Sequence, residues 1–436
     1  MRDLIDIDRR HIWHPYTQHE NEHDPILVTR AKGATLIAED GRKILDLVSS
    51  WWTCVHGHAH PELNAALARQ AETMEHVMFG GFTHSSAIDL AERLSKLLPE
   101  DLSRVFFSDN GSTSVEVALK VAFQYWRNRG DTDRTGFLAF DGAYHGDTLG
   151  AMAVGRGCGF FNLFQDLMCP VTPLPYVQTW ENDETVEARE AEALSEVERI
   201  LDTEGKSAAA LIVEPLMQGA SGMRVCRPQF LKAVVDRARA AGLLIIFDEV
   251  ATGFGRTGTM FAFEQVGVVP DIICLSKGLT AGYMPMAVTV ARERLFEAFL
   301  SDSFDQALPH GHTFTANPLA CAVSLRSLEL FSEENTLQRI GRISERHGEA
   351  LETLMAHDRV SRPRKLGTLL AFDLVGGGEG YKSDESLVLR DWYLAHGLNI
   401  RPLGPCVYLL PPYCISEDEL SRAYAGLIEG LDSLIN

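Results

Sequence analysis

The sequence predicts an α/β protein, with a large doubly wound domain and a smaller α+β domain beside it. Three observations predict this. From about residue 61 to 326, apolar runs of strand length alternate with amphipathic helical stretches, the pattern of a sheet covered by helices. The first sixty residues instead read as short strands and turns. From about residue 365 the tail resumes as strand, helix and strand. The implied division is 61–330 for the large domain, with 1–60 and 331–436 contributing the two parts of the small one.

Taken in order, the first segment turns at Gly33, Asp40-Gly41 and Gly57, after an aromatic stretch His11-Ile12-Trp13-His14-Pro15-Tyr16. Strands are expected at 105–107, 136–140, 208–213, 243–247, 272–275 and 286–290, each a short apolar run. A helical stretch at 115–127 follows the first of these. Segments 182–204 and 333–357 mix acids and bases at helical spacing and read as solvent-facing helices. Ser416-Glu417-Asp418-Glu419 is a start signal for a last helix.

At 436 residues the chain has room for two or three domains with ample core. Apolar content of 45% and charged content of 23% are those of a soluble globular protein. Sixty acidic against 40 basic residues give a net charge of −20, which argues against nucleic acid as a partner. The acid-bearing start Met1-Arg2-Asp3-Leu4-Ile5-Asp6 does not read as a signal peptide, and no stretch approaches the roughly 18–20 apolar residues of a membrane span. A cytoplasmic enzyme is expected. The eight cysteines, at 54, 158, 169, 226, 274, 321, 406 and 414, form no Cys-x-x-Cys pair and are expected to be reduced and mostly buried. Asn110-Gly111-Ser112 matches a glycosylation sequon but reads as a tight turn.

The chemistry is concentrated at the ends of two apolar runs. Residues 243–247 end in Asp248-Glu249 and lead into Gly253-Phe254-Gly255-Arg256-Thr257-Gly258; residues 272–275 end in Ser276-Lys277-Gly278. Two buried strands would bring Asp248 and Lys277 to one edge of a sheet, the edge that carries ligands in open α/β sheets. A lysine to hold an aldehyde covalently, with a carboxylate to keep a pyridine nitrogen protonated, is what pyridoxal phosphate requires. An apolar run ending in Asp-Glu also occurs where nucleotide-hydrolysing enzymes hold magnesium, but the Gly-Lys-Ser/Thr phosphate loop of that class is missing. Asp248 and Lys277 are therefore the candidate catalytic pair.

The remaining cofactor contacts are read around that pair. Ser108-Asp109-Asn110-Gly111-Ser112-Thr113-Ser114 precedes a helix, where Gly111 would let the backbone approach a phosphate and the Ser112 region would supply donors. Tyr144, in Gly142-Ala143-Tyr144-His145-Gly146-Asp147, is placed to stack on the pyridine ring. Val250 is expected to cover the opposite face, because alternation in an extended segment would aim it the same way as Asp248. His310-Gly311-His312-Thr313-Phe314 offers the Thr313 hydroxyl as a further phosphate donor. A zinc site at His56, His58 and His60, or at His310 and His312, is disfavoured because the first cluster sits in a Gly/Pro turn without an evident acidic or thiolate ligand at the right spacing; no metal is expected.

With these residues in place, the chain resembles the class III, or subgroup II, aminotransferases of fold type I over nearly its whole length. The outer segments Arg10-His11-Ile12-Trp13-His14-Pro15-Tyr16-Thr17, Ser49-Ser50-Trp51-Trp52, His76-Val77-Met78-Phe79-Gly80-Gly81, Thr83-His84, Arg401-Pro402, Tyr408 and Pro411-Pro412-Tyr413 narrow the resemblance within the family. It implies a mixed sheet in the large domain and a homodimer in which Thr313 reaches the phosphate of the partner's cofactor. It also implies a ping-pong transfer of an amino group from S-adenosylmethionine to 8-amino-7-oxononanoate, a step of biotin synthesis.

That acceptor has a carboxylate at one end and an amino ketone at the other. Tyr16, Trp51, Trp52 and Tyr144 could line an apolar channel for it, with Arg401 pairing with the carboxylate. The same aromatic faces would attract the donor's sulfonium. By the resemblance Gly311 also belongs to the substrate site. His312 stands where family members that use S-adenosylmethionine resemble Gly-Pro-Thr-Phe, so lysine is an alternative donor. A broad ω-amino acid or diamine transaminase, and an intramolecular aminomutase of the same fold, are the other readings. A pyridoxal-dependent regulator would need an added DNA-binding domain.

Overall fold

The computed structural model describes residues 3–20, 23–99, 101–157, 159–376 and 384–434. Its centre is a seven-stranded sheet in the order Leu102–Ser108, Ala287–Arg292, Ile272–Leu275, Leu244–Asp248, Ala208–Val213, Gly136–Phe140 and Thr172–Leu174. Ala287–Arg292 runs antiparallel to both neighbours, and the other paired strands are parallel, so the sheet is mixed. Ala208–Val213 and Leu244–Asp248 are buried at every position, which is why they read as unbroken apolar runs rather than as alternation.

The expected strands are all present within a few residues of the expected bounds. The run at 286–290 becomes Ala287–Arg292, continuing through Ala291 to a half-buried arginine. Several elements were not expected, two of them at the edges of the fold. Thr172–Leu174 lies at the sheet edge, where Pro173 is tolerated because that side needs no donor. Leu4–His11 is a short helix capped by Asp3, whose carboxylate accepts from the amides of Ile5 and Asp6.

Outside the large sheet, Val28–Lys32, Thr35–Ala38 and Lys43–Asp46 form an antiparallel meander, and Leu398–Asn399 adds to it in parallel. The two ends of the chain therefore share one sheet. Val360–Leu366, Leu369–Leu374 and Cys406–Leu409 make a second small sheet, covered by the helix Thr336–Leu354, against which Glu417–Ser433 packs in turn. The last helix starts as expected: Ser416 and Glu419 form a reciprocal capping box.

Among the described residues no helix is long and apolar enough to cross a membrane. Cys54, Cys226, Cys274, Cys321 and Cys406 are buried free thiols, Cys414 is half-buried and Cys169 is exposed; Cys158 lies outside the described residues.

Candidate active site

The carboxyl ends of the parallel strands, joined by the end of Leu102–Ser108, open onto a cavity of about 700 Å³. Gly111, Ser112, Tyr144, Asp248, Val250, Lys277 and Trp52, seven of the residues expected at the site, line it. Asp248 ends its strand with 4% of its surface exposed, and its Oδ2 lies 2.7 Å from His145 Nδ1. Its Oδ1 accepts from the Val250 amide at 3.0 Å.

That last bond corrects the expectation of an extended segment here. The strand stops at Asp248 and the chain turns at once, so Val250 reaches the cavity through a tight turn and not through alternation. On its other side Val250 meets the helix Gly111–Asn128: a Cβ on Gly111 would come within 2.7 Å of Val250 Cγ1. A glycine is needed there for the helix start to approach the cavity wall. Asn110 caps that helix in a box with Thr113, and Ser112 Oγ accepts from the Asp147 amide at 3.1 Å.

Lys277 follows its strand in a left-handed conformation, φ 47°, and its Nζ lies 4.2 Å from the centre of the Trp52 ring. Burial pulls its ammonium down to about 8, against the attraction of Asp248 and Glu214. A lysine in that range is part neutral near neutral pH and can act as a base.

Glu214 was missed in the sequence. It lines the cavity, and its carboxylate accepts from the amides of Tyr144 at 2.9 Å and Gly219 at 3.1 Å, while burial pushes its pKa up to about 7. Its signal was the same as that of Asp248: an apolar run, 208–213, ending in an acid. His145 appeared within a quoted motif but had no assigned role.

A second group stands beside the cavity. Tyr16 Oη is 3.4 Å from Tyr144 Oη and donates to Asp147 at 2.7 Å. Trp51 meets the Tyr16 ring edge-on at 6.3 Å, and the Arg401 guanidinium lies 5.8 Å from the centre of the Trp51 ring. No ion pair to Arg401 occurs among the described residues. Trp51 and Trp52 belong to the turn Ser49–Trp52, in which all four residues have positive φ, from 47° to 71°. Gly311 and Thr313 are not brought to this cavity; both are exposed on the loop before the helix Pro318–Glu333. The tempting histidines find protein partners: His56 the Ser327 carbonyl, His58 Asp46 and His60 Glu334.

Residues 16–431 match the family described as aminotransferase class-III. The chain belongs to the class III aminotransferases. An adenosylmethionine-8-amino-7-oxononanoate aminotransferase of Synechococcus elongatus is 50% identical over 97% of this chain and 99% of its own length. One of the same name from Geobacter sulfurreducens is 41% identical over 99% of this chain and 97% of its own length. The crystal structure of a protein of that name from Methanocaldococcus jannaschii superposes with a TM-score of 0.92 at 32% identity, covering 99% and 98% of the two chains. An (S)-enantioselective ω-transaminase from Thermomicrobium roseum superposes equally well, with a TM-score of 0.93 at 28% identity and the same coverage. The fold is thus shared across substrates, and substrate choice resides in the site.

This aminotransferase is a pyridoxal phosphate enzyme of fold type I. The cavity fits the group: a half-buried lysine and a buried carboxylate face the same space, and Gly111 opens the helix start to it. His145 Nε2 is buried with no hydrogen-bond partner among the described residues.

Proposed function

We propose that this aminotransferase moves an amino group from S-adenosylmethionine to the C7 ketone of 8-amino-7-oxononanoate, giving 7,8-diaminononanoate for biotin synthesis. The observation that carries this is the wall of Tyr16, Trp51 and Arg401 next to the Lys277 cavity. An aromatic surface ending in a guanidinium suits a long apolar acceptor with a terminal carboxylate, and its faces suit a sulfonium donor. The names of the relatives agree.

When bound, pyridoxal phosphate supplies an electron sink and carries the amino group between the two half-reactions. Asp248 would hold the ring nitrogen protonated, with its own charge supported by His145 and the Val250 amide. Gly111 and Ser112 at the helix start would take the phosphate, and Tyr144 and Val250 would flank the ring. Lys277 Nζ would hold the cofactor aldehyde at rest. Once free, its amine would take the proton from the amino-bearing carbon of the donor and deliver it to the cofactor side, a role worth roughly 10² to 10⁴ in rate. Trp52, under the amine, keeps water from that path.

The exposed Gly311 and Thr313 complete the site of a second copy in this proposal, Thr313 donating to the partner's phosphate, in a cytoplasmic homodimer. The division into 61–330 and a small domain built from 1–60 and 331–436 belongs to the same proposal. It agrees with the sheet shared by Lys43–Asp46 and Leu398–Asn399.

The test is a half-reaction. Holoenzyme is mixed separately with S-adenosylmethionine, lysine and alanine, and the visible absorbance of the bound cofactor is followed. S-adenosylmethionine alone should bleach it, and 8-amino-7-oxononanoate should restore it. Bleaching by lysine instead would keep the acceptor and replace the donor. A response only to alanine or diamines would overturn the assignment.

A further inference from the structure

The contact between Arg401 and Trp51 joins two segments far apart in the chain, and one buried group is bonded to both. Asp46, the last residue of Lys43–Asp46, is 0% exposed. Its Oδ2 accepts from Ser50 Oγ at 2.7 Å and lies 2.9 Å from His58 Nε2. Its Oδ1 accepts from Asn399 Nδ2 at 3.0 Å. Ser50 precedes Trp51 in the left-handed turn, and Asn399 stands two residues before Arg401. Asp46 and Asn399 are also register partners in the parallel pair, and the Leu47 amide donates to the Asn399 carbonyl at 3.2 Å.

A fully buried carboxylate is a costly way to close a sheet end that an apolar pair could close as well. What it adds is geometry. A strand partner alone fixes the backbone of Asn399 but not the neighbouring turn, and four successive positive φ values persist only where the surroundings over-determine them. His58 supplies the balancing charge: against burial, its bond to Asp46 raises its pKa to about 10, and hydrogen bonds from His58 and Ser50 hold Asp46 below its ordinary value despite burial.

We propose that Asp46, acting with Asn399, is a positioning residue of the acceptor site: it ties the Trp51 turn to the strand that delivers Arg401, and so sets the spacing between aromatic wall and guanidinium. This rests on the assignment of Arg401 to the acceptor carboxylate made above. Neither Asp46 nor Asn399 lines the Lys277 cavity, and Asn399 reaches the turn through Asp46, so an Asn399 variant should leave the proton-transfer machinery intact.

The experiment is a double-mutant cycle in the holoenzyme with Asn399→Ala, Arg401→Ala and the pair, reading acceptor KM and the rate of the donor half-reaction. Asn399→Ala should raise acceptor KM about tenfold while the donor half-reaction stays within about twofold, a split that general destabilisation would not produce. In the Arg401→Ala background it should add nothing to acceptor KM, because its effect passes through Arg401. If Arg401→Ala raises acceptor KM but Asn399→Ala does not, or if the two effects add in full, the positioning role is overturned and the substrate assignment stands. If Arg401→Ala leaves acceptor KM unchanged, the substrate assignment fails first and the positioning role with it. Asp46→Asn must raise acceptor KM at least as far as Asn399→Ala does, since Asp46 is bonded to both segments.

Discussion

Lys277 carries the strongest burden at the scale of single residues. Its amine is buried beside Trp52 and pulled down to about 8, so its removal takes away the covalent anchor and the base while relieving the protein of a desolvated amine. Lys277→Ala is therefore expected to lose the visible band of the lysine-bound cofactor and to lower turnover by at least about 10² to 10⁴, with no fall in thermal midpoint. Persistence of the band in the variant would remove the central assignment. Which residues could be read in advance follows from where their information lies. Asp248 and Lys277 each close an apolar run, a local signal, and Glu214 carried the same signal and was passed over. His145 could not be read locally, because its partner Asp248 lies 103 residues away and only the folded sheet brings them to 2.7 Å. Arg401 and Trp51 were readable only through the family resemblance; their 5.8 Å contact depends on the Leu398–Asn399 strand joining the first sheet.

Elements were legible where periodicity and burial agree, as in the fully buried strands Ala208–Val213 and Ile272–Leu275, whose expected bounds match the observed ones. The Ser49–Trp52 turn was not legible. Serine and tryptophan have no preference for positive φ, and the left-handed region costs about 1–2 kcal/mol per residue, so the turn exists because its tertiary partners impose it. The start of Gly111–Asn128 is the opposite case, since its glycine announces a close approach. A Cβ at Gly111 would press on Val250 Cγ1 at 2.7 Å, an overpacking of about 1–3 kcal/mol that displaces the helix start from the cavity. Gly111→Ala should weaken cofactor binding roughly tenfold or more, as measured by titrating cofactor into apoenzyme. Val250→Ala should also weaken binding by baring one face of the ring. Combined with Gly111→Ala it should recover much of the lost affinity, and full additivity of the two losses would show that the contact is not what the glycine is for.

At the scale of the whole molecule, buried titrating groups link elements that lie apart in the chain. His347 is wholly buried; its Nε2 donates to the Thr368 carbonyl at 3.0 Å and its Nδ1 accepts from Tyr424 Oη at 2.8 Å, linking two helices and a small sheet. Burial holds its pKa down to about 4 despite the carbonyl bond, and His56 behaves alike against Ser327. For each, the folded state resists a proton that the unfolded chain takes up near 6.5, so stability is full above that value and lost as pH falls toward about 4. Glu214 and Glu249, pushed up to about 7 by burial, act in the reverse sense: the folded state takes up their protons first, and stability is gained as pH falls from about 7 toward the ordinary carboxylate value of 4.5. The two pairs oppose each other over the same window, so the total curve between pH 4.5 and 6.5 conceals both. A variant separates them. His347→Gln should cost stability at pH 7.5, where the neutral ring is fully bonded, and on the order of 2 kcal/mol less at pH 4.5, where the parent alone carries the protonation penalty. Urea unfolding of parent and variant at the two pH values measures that difference directly, and a cost independent of pH would mean that His347 is not held neutral in the folded chain.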